Sequence, residues 1–505
     1  MIRPSVLEQN RSDRSRVETR ATLFLVVLAV LLRSAVFVCW PQAHFDSDQA
    51  VTGLMAKHLS EFRAFPVFWY GQSYMLAVEA WLSAPVMWVL GPTGTALKLP
   101  LLAINVAIAL LLFRGLRRDV GLAPFHAGFA TMFFALTAPI ASAHLLTANG
   151  GNVEPLLYVL LLWYARQNGM LLGLVLGIGF LNREFTIYGL FALIVINAVE
   201  HELLTRAALR RLAAMLGTAA LVWLAVQGLK QFSSAAGPGT TTADLYTQMA
   251  SNNIVEVLHR VCFSPRALGA GMAGLISDHF PQLFGVSVQP LTDFGIESSG
   301  REGFPSAWIA LAITTLIAIA GVASGTIRAR GWDRRWDFCA YLVLASLFSV
   351  AGYLAGRCGE VSLFTMRYEL LSLVGAVGLA AWHFRVAPPR AATLFVVFAS
   401  WVLATAAAAD VRLLAEYLHR PPVPQKQLLI DALQERHIRY GYSDFWTAYY
   451  VTFLSRERII LAADDAVRIR TYNRTVEEHP GEAVRISRQP CPAGDRLTPA
   501  FWLCQ

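Results

Sequence analysis

Apolar runs separated by short polar stretches occupy most of the chain between Ala21 and Ala409. Many of them are roughly 17 to 20 residues long, the length that a helix needs to cross the hydrocarbon core of a bilayer. We therefore predict an all-α polytopic membrane protein with about 11 to 13 transmembrane helices. The predicted apolar segments are 21–39, 74–90, 97–113, 123–140, 153–165, 169–181, 185–199, 212–229, 305–323, 337–355, 368–384 and 391–409.

The arginines between these segments predict which side of the membrane each loop faces. Arginine-rich loops of membrane proteins lie on the cytoplasmic side. This places in the cytoplasm the basic N-terminus, residues 1–20, and the loops 114–119, 205–211, 328–336 and 385–390. We expect the remaining loops to face outward, together with everything after about residue 410, because they are long or carry little excess positive charge; they are 141–152, 182–184, 230–304 and 356–367.

The segment 74–90 does not fit this alternation. Three apolar segments separate the basic N-terminus from the basic loop 114–119, and an odd number of crossings cannot return the chain to its starting side. This segment carries Glu79 and Pro85 in its interior. We therefore expect it to lie along the outer face or to dip into it, after a first outer loop of residues 41–73.

The end of the chain has a different composition. From about residue 425 the sequence is polar and charged; "LLIDALQERHI" has the pattern of a helix, and "RIILAADDAVRIR" that of a strand and turn. We predict a small α/β extracytoplasmic domain, residues 410–505, after the membrane domain of residues 21–409. Cys491 and Cys504 would pair if this domain lies in an oxidising compartment.

The long outer loop 230–304, in which "NNIVEVLHRVCF" has a helical period, is of the kind that forms lids or binding loops.

Composition agrees with a membrane protein. Of the 505 residues 55% are hydrophobic and only 15% are charged, with a mean hydropathy of +0.48. Soluble proteins carry about 25% charged residues, which excludes an ordinary soluble domain. The formal charge of +8 comes mainly from arginines in short loops. Such charge reports orientation in the membrane, so we predict no nucleic-acid partner.

Ionisable residues gather at the outer rim of the predicted helices. Charges at the membrane boundary are costly, so they mark a polar cavity whose members interact with one another. Here the cavity would hold both carboxylates and guanidinium groups, drawn from Asp46, Asp48, Glu79, Glu154, Arg183, Glu184, Arg301, Arg357, Glu360, Arg367 and Glu369.

That mixture suits the transfer of a sugar from a lipid phosphate. Phosphate is already a good leaving group, so the reaction needs a base for the incoming hydroxyl and a cation for the departing phosphate. A partly desolvated carboxylate supplies the base. Arginine supplies the cation, because its planar fork binds phosphate in a bidentate way and stays charged near lipid.

Several stretches also resemble a known family. "HFDSDQAVTGLMAKHL", "VFWYGQSYMLAVEAWLSAPVMWVLG" and "FFALTAP" resemble the N-terminal module of the GT-C membrane glycosyltransferases. The closest subgroup is the bacterial family 39-like enzymes, kin to the protein O-mannosyltransferases and the lipid A aminoarabinose transferase. "RYGYSDFWTAYYVTFLSRERIILA" is similar to the outward tail of uncharacterised bacterial members. The resemblance implies a GT-C-like fold and a bacterial inner-membrane, multi-pass location.

The resemblance also implies roles for individual residues. In the family the first outer loop carries a catalytic aspartate, and the frame of Asp48, Gln49 and Ala56 fits it better than Asp46 does. We expect Asp48 to be the base, with Asp46 assisting. Gln72 stands where kin carry a lysine, which removes a cation from this loop. The family 39 kin do not depend on a divalent metal, so we expect no cofactor, with a metal as the less favoured alternative.

We interpret the chain as a polyprenyl-phosphate-sugar-dependent glycosyltransferase, hexosyl or pentosyl, that inverts at the anomeric carbon. Its partners would be membrane lipid, the lipid-linked sugar and a glycan, lipid or protein acceptor. The base would be Asp48, and the phosphate would bind Arg367, Arg183 and Arg301. The predicted pocket adds Tyr70, Gln72, Glu79, Asn152, Glu154 and Glu184.

Each assignment has a structural alternative. The two aspartates would be solvated loop residues, Arg183 and Glu184 an ion pair between helices, and Arg367 a helix anchor that reaches the interface. Arg301 would be an exposed loop charge. Glu79 and Glu154 would be pore or helix-cap residues, Asn152 would cap the start of a helix, and the aromatic cluster around Tyr70 would be an interfacial belt. As a whole, the competing class is a transporter or flippase of lipid-linked glycans, which predicts charged residues deep in the bundle; the middles of the predicted spans hold nearly none.

Overall fold

A computed structural model gives the architecture, and it describes residues 6–72, 75–230, 261, 264–288, 291–292, 295–296, 302–357, 361–492 and 494–504. Helices dominate as far as residue 419. They are α1 Val6–Cys39, α2 Ser47–Ser60, α3 Val78–Leu90, α4 Gly94–Arg118, α5 Pro124–Ala135, α6 Pro139–Leu145, α7 Glu154–Ala165, α8 Gly169–Asn182, α9 Ile187–Val199, α10 Arg206–Lys230, α11 Pro265–Gly274, α12 Phe280–Leu283, α13 Pro305–Ala329, α14 Asp337–Arg357, α15 Ser372–Val386 and α16 Pro389–His419. Short 3₁₀ turns cover Pro41–His44, Glu184–Thr186, Arg334–Trp336 and Leu363–Glu369, and a π turn covers Leu275–His279.

Within these ranges, six helices are long and apolar enough to cross a membrane, and the number rises to eight if two bent pairs each count as one span. The six belong to α1, α4, α10, α13, α14 and α16. The shorter apolar helices are α3, α7, α8 and the stretch Glu184–Val199. The predicted polytopic α-helical class is thus confirmed, while the count of 11 to 13 crossings stays a prediction. That 74–90 does not cross also stays a prediction.

Two predicted spans are broken. The segment 123–140 forms α5 and α6, which meet at an angle of 83°. Ala138 adopts an extended conformation before Pro139, because a proline disfavours the helical conformation of the residue that precedes it. The segment 368–384 begins in the 3₁₀ turn Leu363–Glu369, which is bent by 52° from α15. This second bend carries Arg367.

The membrane helices pack in a continuous apolar core. Helix α1 contacts α4, α5 and α16, and α14 contacts α9 and α15. Helix α8 packs closely on α10 because its glycines leave room for the partner backbone; a Cβ on Gly169 would lie 2.5 Å from the carbonyl oxygen of Arg211. In the first outer loop, α2 packs on the neighbouring α3 and on the C-terminal domain.

The C-terminal domain is α/β, as predicted. Its elements are α17 Gln425–Glu435, β5 Tyr440–Ser443, α18 Phe445–Leu454, β6 Ile460–Ala463, α19 Arg470–Glu477, β7 Ala483–Ser487, β8 Asp495–Thr498 and β9 Phe501–Cys504. The sheet order is β6-β5-β7-β9-β8, with β5 parallel to β6 and β7, and the remaining pairs antiparallel. A disulfide joins Cys491 to Cys504. Helix α17 and strand β6 confirm the helix and the strand read from the sequence.

The described parts of the long loop 230–304 contain α11, α12 and two short antiparallel pairs. Strand β1 Ser287–Val288 pairs with β4 Glu302–Gly303, and β2 Leu291–Thr292 pairs with β3 Gly295–Ile296. Arg301 and all but one residue of "NNIVEVLHRVCF" lie outside the described residues. The roles predicted for them therefore stay predictions.

Candidate active site

The two aspartates of the first outer loop lie at the N-terminus of α2 and have different roles there. Asp46 is the N-cap, and its Oδ1 accepts a hydrogen bond of 2.9 Å from the backbone N–H of Gln49. An aspartate at this position satisfies a free amide of the first turn. Asp48 follows within that turn, and its carboxylate accepts no hydrogen bond from the residues that the structure describes. Asp48 is therefore the carboxylate left available for chemistry.

The electrostatic surroundings of Asp48 suit a base. Burial and the neighbouring Asp46 raise the pKa of Asp48 to about 6. Three guanidinium groups oppose this rise, those of Arg367, Arg468 and Arg183. An aspartate with a pKa near 6 is a stronger base than an exposed one and is still largely ionised at neutral pH. Arg367 and Arg183, both predicted from the sequence as phosphate-binding residues, are thus among the charges that influence Asp48.

A buried lysine fixes the loop that precedes α2. Nζ of Lys98, near the start of α4, donates to the carbonyl oxygens of Pro41 at 3.2 Å and His44 at 2.8 Å. The Gln49 side chain donates to the same His44 carbonyl at 3.1 Å. The Lys98 ammonium also attracts Asp46. Lys98 was not predicted from the sequence, because an isolated lysine at a predicted helix end is also typical of an interfacial anchor.

Arg367 projects from the bend between the 3₁₀ turn Leu363–Glu369 and α15. Its guanidinium carbon lies 4.4 Å from the ring centroid of Phe364 and 5.0 Å from that of Tyr368, whose hydroxyl accepts a hydrogen bond of 3.1 Å. Nε is buried and has no partner among the described residues. The adjacent Glu369 is turned away into a buried pair with His279 at 2.8 Å. Arg367 therefore has one buried donor, Nε, that no described residue binds.

Arg183 lies where α8 ends. Its Nη2 donates to the carbonyl oxygen of Asn149 at 3.5 Å, and its Nε is buried with no partner in the described part of the chain. Arg183 lines a cleft of about 210 Å³ together with Phe68, Phe180, Leu181, Asn182, Glu184, Trp223 and Gln227. Glu184 is exposed, and these two neighbours, both described, form no ion pair. The structure therefore does not support the alternative of an ion pair between helices.

Glu79 supports the site through hydrogen bonds to a glycine turn. Its two carboxylate oxygens accept hydrogen bonds from the backbone N–H groups of Gly150 at 2.7 Å and Gly151 at 2.8 Å. Both glycines have positive φ, +88° and +108°. A Cβ on Gly151 would lie 2.6 Å from Cγ of Arg183, so this turn packs directly beneath the arginine. Glu79 thus holds the turn that supports Arg183.

The other predicted pocket residues are distributed unevenly. Glu154 is buried beside Glu79 and Arg183, and the Asn152 amide donates to the carbonyl oxygen of His144 at 3.1 Å. Gln72 is half-buried in the first outer loop. Tyr70 is buried, and its hydroxyl lies 3.1 Å from Nδ1 of His58, in the contact between α2 and the C-terminal domain. Tyr70 is therefore a packing residue of that interface.

Arg468 is the cation that sequence analysis missed. It lies in the C-terminal domain, in a stretch read only as strand and turn. Its guanidinium carbon is 4.9 Å from the ring centroid of Trp69 in the first outer loop. No local sequence pattern connects Arg468 with Trp69, because the two residues are so distant along the chain.

Within the described ranges, no group of three or more His, Cys, Asp and Glu side chains is arranged to hold a metal ion, and metal independence stays a prediction.

Comparison with known proteins shows a fold likeness. No family model matches the chain, and no curated protein matches it in sequence. The archaeal oligosaccharyltransferase AglB from Archaeoglobus fulgidus, in complex with an inhibitory peptide and a dolichol-phosphate, matches with a TM-score of 0.50 and 13% identity, over 93% of this chain and 69% of its own. ArnT from Cupriavidus metallidurans bound to undecaprenyl phosphate matches with a TM-score of 0.40 and 11% identity, over 96% and 98%. At 13% identity, the likeness to AglB shows a shared fold.

Proposed function

We propose that the protein is an inverting glycosyltransferase that moves a monosaccharide, hexosyl or pentosyl, from a polyprenyl-phosphate carrier to an acceptor hydroxyl. The acceptor is a glycan, a lipid or a protein. One observation carries the proposal: Asp48, which accepts no hydrogen bond from the described residues, has its pKa lowered by the charges of Arg367 and Arg183, each with a buried Nε that no described residue binds. The shared fold with a membrane glycosyltransferase supports it.

The chemistry follows from this arrangement. Asp48 accepts the proton of the acceptor hydroxyl as the oxygen attacks the anomeric carbon. The bond between that carbon and the phosphate oxygen breaks, and its electron pair leaves with the lipid phosphate. Arg367 and Arg183 neutralise the charge that develops on this phosphate. Because the acceptor oxygen enters opposite the leaving phosphate, the configuration at the anomeric carbon inverts.

The position of the site suits a lipid-linked donor. Arg183 lies at the end of an apolar helix and in a cleft with Phe68, Phe180 and Trp223. A phosphate held there would leave its polyprenyl tail next to apolar surface. We place the site and the C-terminal domain at the outer face of a bacterial inner membrane, because the loops on the opposite side are rich in arginine.

Reconstitution in liposomes tests this proposal. Purified protein is supplied with candidate polyprenyl-phosphate sugars and acceptors, with the wild type beside Asp48→Asn. We expect sugar transfer by the wild type and a loss of about 100-fold or more in the variant. Movement of a lipid-linked glycan across the bilayer, with no donor consumed, would establish the transporter instead.

A further inference from the structure

The loop between β6 and α19 brings Arg468 to the membrane domain. The backbone N–H groups of Arg468 and Ile469 both donate to the hydroxyl of Tyr449, at 2.6 and 3.0 Å. Tyr449 is buried in α18, and α18 packs on α2. The loop is therefore fixed against the helix that carries Asp48.

The Arg468 side chain rests on a rigid surface. Its guanidinium carbon lies 4.9 Å from the ring centroid of Trp69 and 5.8 Å from that of Phe445. Its Cδ packs against Gly71, which has a φ of +74°, and a Cβ at that position would lie 2.9 Å away. Stacking on an aromatic face restricts the orientation of a guanidinium. The first outer loop thus fixes the position of the Arg468 side chain.

The same surface leads to the base. The indole N–H of Trp69 donates to Oγ1 of Thr52 at 2.9 Å, and this hydroxyl lies 3.3 Å from the backbone carbonyl of Asp48, to which it donates. The charge of Arg468, like those of Arg367 and Arg183, lowers the pKa of Asp48. Three guanidinium groups from separate parts of the chain therefore influence the charge of one carboxylate.

We propose that Arg468 is a further donor-phosphate-binding residue, supplied to the membrane-domain site by the C-terminal domain. This inference rests on the proposed function. A guanidinium that served only to pair with Asp48 would weaken the base, and Arg367 and Arg183 already face that carboxylate. A phosphate bound among the three would accept bidentate hydrogen bonds from several directions. The C-terminal domain is then part of the active site.

Binding of a polyprenyl phosphate to the purified full-length protein tests this role without any need for turnover. Arg468→Gln keeps most of the stacking surface and removes the charge. We expect the dissociation constant to rise about 10- to 100-fold, the usual cost of losing a hydrogen bond to a charged group. Arg436 is an exposed arginine at the end of α17. The variant Arg436→Gln serves as the matched control and should bind as the wild type does.

A second variant covers the case in which Arg468→Gln does not fold. Gly71→Ala leaves the charge in place but displaces the Arg468 side chain, and we expect it also to weaken binding. Gly91→Ala is its control, because Gly91 has a similar φ of +79° and no atom within 4 Å of the added methyl. Wild-type affinity in whichever of Arg468→Gln and Gly71→Ala folds would overturn the inference while leaving the proposed function intact. If the wild type itself neither binds the lipid phosphate nor transfers sugar, the proposed function fails.

Discussion

Nε2 of His58 lies 3.1 Å from Oε1 of Glu457 and so joins α2 to the C-terminal domain. The same carboxylate forms ion pairs with Lys57 and Arg63 and accepts a hydrogen bond of 2.8 Å from the hydroxyl of Tyr472. One nearly buried acid therefore fixes the helix that carries the proposed base against the domain that supplies the third guanidinium. The geometry of the site depends on this contact.

Glu457→Gln is expected to destabilise the protein. Lys57 is almost fully buried and would lose one of its two carboxylate partners, the other being Glu61, and breaking a buried pair costs about 3 kcal/mol. Thermal unfolding of the variant in detergent measures the loss. Glu435→Gln, an exposed glutamate of α17, is the control and should melt with the wild type. Equal melting temperatures for all three proteins would show that the contact contributes little.

The same contact makes stability depend on pH. Burial alone would raise the pKa of Glu457, but the hydrogen bonds and charges of His58 and Lys57 outweigh it and hold the pKa well below its usual range. An acid whose pKa is lowered by folding stabilises the protein fully above its unfolded value, which is about 4.3. We expect this contribution to disappear as the pH falls below that value. Melting temperatures of the wild type and Glu457→Gln should then converge, and a constant gap between them would contradict the assignment.

Asp46 and Asp48 should respond differently to the same substitution. Asp48→Asn removes the proposed base, and we expect transfer to fall about 100-fold or more. Asp46→Asn keeps an N-cap, because asparagine caps as well as aspartate, and should retain most activity. Asp46→Ala should cost about 1 kcal/mol in unfolding free energy. Initial rates and melting curves measure both effects; an inactive Asp46→Asn beside an active Asp48→Asn would reverse the two roles.

The rate of transfer should depend on the ionisation of Asp48. With a pKa of about 6, the base is protonated at lower pH, so kcat/KM should fall about tenfold for each pH unit below that value. Arg367 lowers this pKa, and Arg367→Gln should therefore move the acidic limb of the profile to higher pH. The exposed Arg436→Gln should leave the limb in place. A limb that moves to lower pH in Arg367→Gln would exclude Asp48 as the titrating group.

Gly151→Ala should impair donor binding. The added methyl would lie 2.6 Å from Cγ of Arg183, which must then move. We expect KM for the lipid-linked donor to rise more than kcat falls. Gly91→Ala carries a comparable backbone strain with open space around it and isolates the cost of positive φ. If both variants have the same KM, the Gly150–Gly151 turn does not position Arg183.

Much of the membrane domain was determined by the sequence alone. Whether a segment is apolar and long enough for a bilayer is a local property, so the α-helical membrane class and the change to an α/β tail were predicted correctly, while the number of crossings stays a prediction. Helix α2 was not predicted, since residues 41–73 were interpreted as an outer loop, although the cap that Asp46 provides for the N–H of Gln49 is a local interaction. The break between α5 and α6 was missed, because Pro139 stands only one residue before the end of the predicted span 123–140.

Only the tertiary structure decided which charges share the site. It brings Arg183, Arg367 and Arg468 to Asp48 through a helix end, a bend and a domain contact. It also assigns Tyr70 to packing and Glu79 to the support of a glycine turn. Hydropathy and spacing describe neighbours along the chain, whereas electrostatic energy depends on separation in space, and helix packing and domain docking fix that separation.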